Sequence, residues 1–257
     1  MVSVTAVNAF DDNYIWVLSV KEEGAVALVD PGDATPVIEL LQRRHWQPCA
    51  ILITHHHYDH TGGIDDLVSR YSVPVYGPAK EQICNLTHSM REGDVATVPK
   101  MGLSLSVIDT PGHTRGHICY HTDGALFCGD TLFTGGCGRI FEGSAPQLYH
   151  SLEKLRALPD TTRVYCAHEY TADNLRFAIV AEPDNESLQQ RIDTVAKQRQ
   201  RGEATVPATL AEERATNPFL RCHLPQLKAA AESFCGHELP TPAEVFATVR
   251  RWKDSLD

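Results

Sequence analysis

The chain has 257 residues, 42 % hydrophobic and 22 % charged, a composition that fits a globular protein of one large or two modest domains with a substantial core. A net charge of −10 argues against nucleic acid as the main partner, because phosphate is held by basic surfaces, and no apolar run approaches the length of a bilayer span. Met1-Val2-Ser3-Val4 lacks the basic and apolar regions of a signal peptide, and the eight scattered cysteines form no C-x-x-C pair, so a cytosolic protein with reduced thiols is expected.

Short apolar runs bounded by turns predict strands at 14–20, 25–30, 50–54, 73–76, 103–109, 118–121, 125–128 and 164–167. Helical patterns fall between some of them, at 36–44, 63–71 and 147–158. Strands interleaved with helices predict a layered α/β domain. After His168 the texture changes. Leu188, Ile192 and Val195 recur at spacings of four and three within 185–201, with Lys197, Arg199 and Arg201 in the last turn and Gly202 as the stop. Thr241-Pro242-Ala243-Glu244 is a capping box with proline at the first helical position, and it opens a helix striped by Val245, Val249 and Trp252. No strand is expected beyond about 168. The chain is therefore expected to divide into an α/β domain, 1–168, and a smaller all-helical domain, 169–257.

Thr54 leads into His55-His56-His57-Tyr58-Asp59-His60, a density of imidazole and carboxylate found nowhere else in the chain. The run is internal, follows an apolar strand and is interrupted by Tyr58 and Asp59, which separates it from a purification tag. Side chains alternate in an extended segment, so His55 and His57 share one side while His56 points away and is not counted as a ligand. Three further strands end on a comparable residue: 103–109 leads through Thr110-Pro111-Gly112 to His113, 125–128 through Gly129 to Asp130, and 164–167 directly to His168. Binding residues gather where the carboxyl ends of strands aim short loops. Five histidines and two aspartates exceed what one zinc ion takes, and suit two ions sharing a carboxylate and a water. Asp130, alone on its strand, is the expected bridge; spacing leaves open which histidine serves which ion. His117 is the rival to His113, which is preferred because the Pro-Gly turn places it first after the strand. Asp30 and Asp33 are expected to hold a turn. His45, His88, His121, His150, His223 and His237 are expected to be surface or structural.

Taken together, T-H-x-H-x-D-H, Thr110-Pro111-Gly112-His113-Thr114, Gly129-Asp130-Thr131-Leu132-Phe133 and His168 resemble the ligand series of the metallo-β-lactamase superfamily. Phe10-Asp11-Asp12-Asn13-Tyr14, Gly135-Gly136-Cys137-Gly138-Arg139, Tyr165-Cys166-Ala167-His168-Glu169-Tyr170-Thr171 and Asn217-Pro218-Phe219 narrow the resemblance to glyoxalase II, the hydroxyacylglutathione hydrolases, over essentially the whole chain. The resemblance implies an αββα sandwich with a dinuclear centre, zinc foremost and iron or manganese possible. His55, His57 and His113 would hold one ion, Asp59, His60 and His168 the other, and Asp130 would bridge. It implies hydrolysis of S-2-hydroxyacyl-glutathione thioesters, chiefly S-D-lactoylglutathione to D-lactate and glutathione, the second step of methylglyoxal detoxification. Two ions roughly 3.5–4 Å apart would lower the pKa of a shared water from about 15.7 towards 7 and give hydroxide at neutral pH. Asp59 and Asp130 would serve that hydroxide, and no protein nucleophile is assigned.

Arg250 and Lys253 match the family's glutathione-binding pair, and Arg139 and Tyr170 match residues beside the site; without the resemblance the pair on the last helix would read as a solvated basic face. In Arg139-Ile140-Phe141 the family often has lysine first and tyrosine third. Arginine keeps the charge with a different hydrogen-bond geometry, and Phe141 keeps the ring without the hydroxyl. The expected partner is a small glutathione thioester, with no nucleic acid or membrane, and a monomer is expected. The competing reading is a glutathione persulfide dioxygenase using one iron. A nuclease is disfavoured, since residues 169–257 carry 11 Lys/Arg against 14 Asp/Glu. The remaining alternative is a metal-binding module without catalysis.

Overall fold

A computed structural model describes residues 2–20 and 24–256. Its contacts form two compact units: Met1–Asp109 with Arg115–Gly129, and Thr110–Thr114 with Asp130–Asp257. The expected division after His168 marks a change of texture, whereas these units follow contacts, and residues 130–168 pack with the helices of the C-terminal region.

In the first unit, β1 (Ser3–Ala9), β2 (Asn13–Ser19) and β3 (Ala25–Val29) pair antiparallel, and β4 (Gln47–Leu52), β5 (Val75–Pro78) and β6 (His88–Met90) then add in parallel. Helices α1 (Ala34–Arg44) and α3 (Ile64–Tyr71) cover one face of this mixed sheet. Val37, Leu40, Leu41, Ile64 and Leu67 pack there on Ile15, Val17, Val26, Leu28, Ile51, Ile53 and Val75. Those strand residues alternate with Trp16, Leu18, Ala27, Leu52 and Tyr76, which are buried on the opposite face. That face meets the antiparallel meander of β7 (Val95–Val98), β8 (Leu103–Asp109), β9 (Ile118–Thr122) and β10 (Ala125–Gly129). Two hydroxyls tie the layers together: Tyr76 donates to the Thr97 carbonyl at 2.7 Å and Tyr120 to the Ile53 carbonyl at 3.0 Å. A sheet buried on both sides explains why its inner strands read as continuous apolar runs.

The second unit opens with the two-residue strands β11 (Leu132–Phe133) and β12 (Gly136–Cys137), followed by α4 (Ala145–Arg156), β13 (Arg163–Cys166), α5 (Thr171–Ala181), α6 (Glu186–Gln200), α7 (Leu210–Thr216), α8 (Pro225–Cys235) and α9 (Pro242–Asp254). One expectation is corrected: a strand does occur beyond residue 168, the two-residue β14 (Ala208–Thr209), which pairs antiparallel with β13. It is too short to show in a local pattern. The capping box of α9 forms as read, with Thr241 and Glu244 bonding each other's backbone. An aromatic stack fills the core, with Phe219 5.7 Å from Phe246 and 6.0 Å from Phe177, and Tyr149 5.8 Å from Phe246. Among the described residues no helix is long and apolar enough to cross a membrane.

Candidate metal centre

The first unit carries the histidine run. β4 ends at Leu52, and the chain continues through 53–57 before the single helical turn α2 (Tyr58–Thr61). His55 and His60 are fully buried, with ring centroids 4.0 Å apart, and His57 lies 4.7 Å from His55. His56 pairs with Glu81, its Nδ1 3.0 Å from Oε2, while its ring meets that of His57 edge-on at 5.0 Å.

Asp30 organises this cluster, which corrects its assignment to a mere turn. It is buried, with φ of 51°, and accepts from the Thr54 amide at 2.8 Å and the Thr54 hydroxyl at 2.7 Å. The Thr54 proton is spent on Asp30, so the contact of Thr54 Oγ1 with His55 Nδ1, 3.0 Å, is donated by the ring. In neutral His55 the lone pair is then on Nε2. Asp33 does hold a turn as expected, capping α1 by accepting from the Thr35 amide at 2.8 Å. His60 sits between two carboxylates: Nδ1 is 3.0 Å from Asp30 Oδ2, and Nε2 is 3.4 Å from Asp59 Oδ2. Asn13 donates to the same Asp59 oxygen at 2.9 Å. His117, the rival to His113, is buried in this unit and stacks on His55 at 4.8 Å. Gly129 completes the arrangement: at φ +45°, a Cβ there would lie 2.3 Å from Thr54 Oγ1 and 2.8 Å from His117 Nε2, so only glycine fits.

The second unit brings His113, Asp130 and His168 together. His113 Nε2 is 3.4 Å from Asp130 Oδ2, and His168 Nε2 is 3.5 Å from Asp130 Oδ1, so the carboxylate presents one oxygen to each ring. The other nitrogen of His113, Nδ1, is 2.8 Å from the Arg139 carbonyl. A carbonyl only accepts, so Nδ1 carries the proton and the neutral ring turns its Nε2 lone pair towards a carboxylate. Two acceptors repel at that separation unless a cation is held with them. Imidazole nitrogen and carboxylate oxygen are the donors that zinc, iron and manganese accept. The donor set is that of a divalent-metal centre.

A cavity of about 330 Å³ opens beside Asp130, within the size range of small-molecule sites. Every residue expected to touch substrate lines it, namely Arg139, Phe141, Tyr170, Arg250 and Lys253, together with His113 and Asp130. Tyr170 stacks on His168 at 4.7 Å, and the Phe141 ring meets His113 edge-on at 5.2 Å. The reading of the last helix as a solvated basic face is overturned for Arg250, which is 3 % exposed. Its guanidinium donates to the Cys137 carbonyl at 3.1 Å and to Asp254 Oδ1 at 2.9 Å, and lies 5.1 Å over the Phe219 ring. Asp254 also approaches Arg139 Nε at 3.5 Å. Asp30, Asn13 and Asp254 were not singled out as site residues from sequence; Asp30 carried a signal, since it ends a strand as the ligands do, and Asn13 lies in one of the motifs that carry the family resemblance.

Cys137 lines the cavity, yet burial pushes its thiol up to about 11, against the opposing pull of Arg250. Burial likewise raises Cys166 to about 12. With pKa values this far above neutrality, both remain thiols at pH 8, where the thiolate is the reactive form. Iodoacetamide at pH 8 is therefore expected to modify exposed Cys84 first and half-buried Cys235 next, leaving Cys137 and Cys166 unlabelled in the folded protein. Peptide mass spectrometry reads the order.

The metallo-β-lactamase superfamily profile matches residues 10–83 and 86–168, and it sets the class. ETHE1 from Myxococcus xanthus shares the fold, with a TM-score of 0.66 and 24 % identity over 99 % of each chain. The B3 metallo-β-lactamase BLEG-1 gives 0.64 and 24 % identity, covering 86 % of this chain and 99 % of its own. The helical remainder is more specific: residues 169–256 match the profile described as the hydroxyacylglutathione hydrolase C-terminus. Proteins named hydroxyacylglutathione hydrolase from Nitrosomonas europaea and Alkalilimnicola ehrlichii are 52 % and 55 % identical to it, over 100 % and 99 % of this chain and 97 % and 99 % of theirs. The chain belongs to the hydroxyacylglutathione hydrolase family.

Proposed function

We propose that the chain hydrolyses S-2-hydroxyacyl-glutathione thioesters, S-D-lactoylglutathione foremost, releasing D-lactate and glutathione as a cytosolic monomer. The observation that carries this reading is the cavity beside Asp130, where candidate metal ligands and cationic side chains line one wall system. Family membership over the full chain supports it. His55, His57 and His113 would hold one divalent ion, Asp59, His60 and His168 the second, and Asp130 both; zinc is the first choice, with iron or manganese compatible with the same donors. Bound there, the ions would supply Lewis acidity, which makes water nucleophilic at neutral pH and stabilises charge on the carbonyl oxygen.

The protein's own groups do the placing. Thr54 and the Arg139 carbonyl fix the tautomers of His55 and His113 before any ion arrives. Asp59, which accepts from Asn13, would orient the attacking water. Water oxygen bonds to the acyl carbon as its protons pass to solvent, the carbon–sulfur bond breaks with its electron pair on sulfur, and the products are the carboxylate and a thiolate that regains a proton from solvent; a model thiol pKa near about 8.5 means little acid assistance is needed. No side chain acts as nucleophile. The glutathione moiety brings carboxylates, which Lys253 and Arg139 meet at the mouth of the cavity while buried Arg250 adds its field from behind.

Asp254 then competes with the substrate. Its pair with Arg139 is partly exposed, with side chains 35 % and 52 % accessible, and such pairs contribute about 0–1 kcal/mol, so an incoming carboxylate displaces it readily. Asp254→Asn removes this rival and makes the cluster more positive. It is expected to lower KM several-fold and to steepen the dependence of KM on salt, checked by initial rates across an ionic-strength series. A raised KM would show that Asp254 mainly holds the arginines in place.

The deciding experiment for the reaction combines elemental analysis with an S-D-lactoylglutathione assay. About two ions per chain and chelator-sensitive thioester cleavage are expected. Oxygen uptake with glutathione persulfide and no thioester cleavage would replace this reading with the dioxygenase. A metal-loaded chain inert to every acyl-glutathione tested would replace it with a binding module.

A further inference from the structure

Residues 133–137 form the tight hairpin of β11 and β12, and besides that pairing its backbone is held by side chains from helices later in the chain. Asn217 Nδ2 lies 3.1 Å from the Phe133 carbonyl and 2.9 Å from that of Gly136. Asn174 donates to the Thr134 carbonyl at 3.1 Å, the Gly135 amide donates to Glu213 Oε2 at 2.8 Å, and Arg250 donates to the Cys137 carbonyl at 3.1 Å. Five consecutive residues thus each give a main-chain group to α5, α9 or the α7 region. Glu213 is itself fully buried and fixed: Arg191 Nη2 donates to Oε1 at 2.5 Å, and Asn217 Nδ2 is 2.9 Å from Oε2.

Gly138 and Arg139, the next two residues, touch the candidate ligands directly. A Cβ on Gly138 would lie 1.9 Å from the Asp130 carbonyl oxygen and 3.3 Å from His113 Nδ1, so the backbone of Gly138 packs against both. The Arg139 carbonyl takes the His113 Nδ1 proton at 2.8 Å. Gly138 also donates from its amide to the Thr131 carbonyl at 3.2 Å, closing the loop on the segment that carries Asp130.

We infer that Glu213 and Asn217 are positioning residues for the metal centre. They clamp the 133–137 turn so that Gly138 and Arg139 hold Asp130 and His113 in ligating orientation. The helical region would then align two of the seven candidate ligands as well as lining the cavity. This rests on the metal-centre reading above. A buried network with every member bonded specifies a single arrangement, whereas one lost member leaves polar groups without partners. Partners that orient a ligand without touching the ion typically change metal affinity about 10–100-fold when removed.

The test uses the full-length chain, stripped by chelator and titrated with Co²⁺ while its visible d–d absorption is followed. Glu213→Gln and Asn217→Ala are each expected to weaken binding of one of the Co²⁺ ions by about 10–100-fold and to shift its bands, in protein that circular dichroism shows to be folded. Glu182→Gln is the control: it disrupts the pair of Glu182, just past the end of α5, with Arg221, 2.8 Å, neither of which bonds to the turn, and should lower the melting temperature with Co²⁺ affinity and spectrum unchanged. If Asn217→Ala fails to fold, Asn174→Ala removes a single bond to the turn and is expected to weaken Co²⁺ binding measurably. Folded variants that bind Co²⁺ as tightly as the parent, with the same bands, would overturn the clamp while leaving the reaction intact. A parent that binds two Co²⁺ but cleaves no thioester would overturn the reaction and leave the clamp standing.

Discussion

Asp130→Asn is expected to reduce metal content from about two ions per chain to about one or fewer, and thioester hydrolysis by about a thousandfold or more. Asp130 directs one oxygen at His113 Nε2 and the other at His168 Nε2, at 3.4 and 3.5 Å. The amide keeps the shape of the side chain but loses the negative charge and turns one oxygen into an NH₂ donor, which ligates no cation. On the proposed assignment both ions lose a ligand at once, unlike a change at His55 or His168. Several kcal/mol of transition-state stabilisation rest on the ions, and each ~1.4 kcal/mol is tenfold in rate, so the loss compounds. Metal analysis and kcat/KM measured on the same preparation check it. Undiminished metal content with lost activity would assign Asp130 to proton handling alone.

Phe246→Ala should cost about 3–5 kcal/mol of stability, lowering the unfolding midpoint by roughly 10 °C. Phe246 is fully buried in α9 with Phe219 at 5.7 Å and Tyr149 at 5.8 Å. Removing the ring leaves a cavity that these neighbours, fixed in separate elements, cannot close. The effect reaches the site, because the Phe219 ring lies under the Arg250 guanidinium at 5.1 Å and Asn217 stands two residues before it. KM should therefore rise along with the loss of stability. Thermal melts of the metal-loaded protein supply the measurement, and a shift of under about 2 °C would mean that the aromatic stack tolerates the hole.

The ligands were legible because their chemistry is local: an apolar strand, then a histidine or aspartate at its end. The run from His55 to His60 announces itself, and His113, Asp130 and His168 repeat its context. α9 was equally legible, since a capping box and proline occupy four adjacent positions. The elements that escaped depend on partners distant in sequence. β14 exists through pairing with β13, and β6 and β7, three and four residues long, offer too little pattern to read. β1 carries a mixed burial pattern and Thr and Asn among its seven residues, which blurs its period. Asp30 looked like a turn residue because its bonds to Thr54 span 24 positions. The burial of Arg250 is set by a carbonyl 113 residues away, so no reading of its own helix could distinguish it from the accessible Arg251.

The wall of the cavity belongs wholly to one of the two units, while four of the seven candidate ligands belong to the other. Holding the tripeptide and breaking its thioester are therefore tasks that a mutation can uncouple. His55→Ala or His57→Ala should silence turnover yet leave the dissociation constant for free glutathione within about twofold of the parent, as calorimetry would register. Such silenced chains would be the forms in which to capture an intact thioester in place.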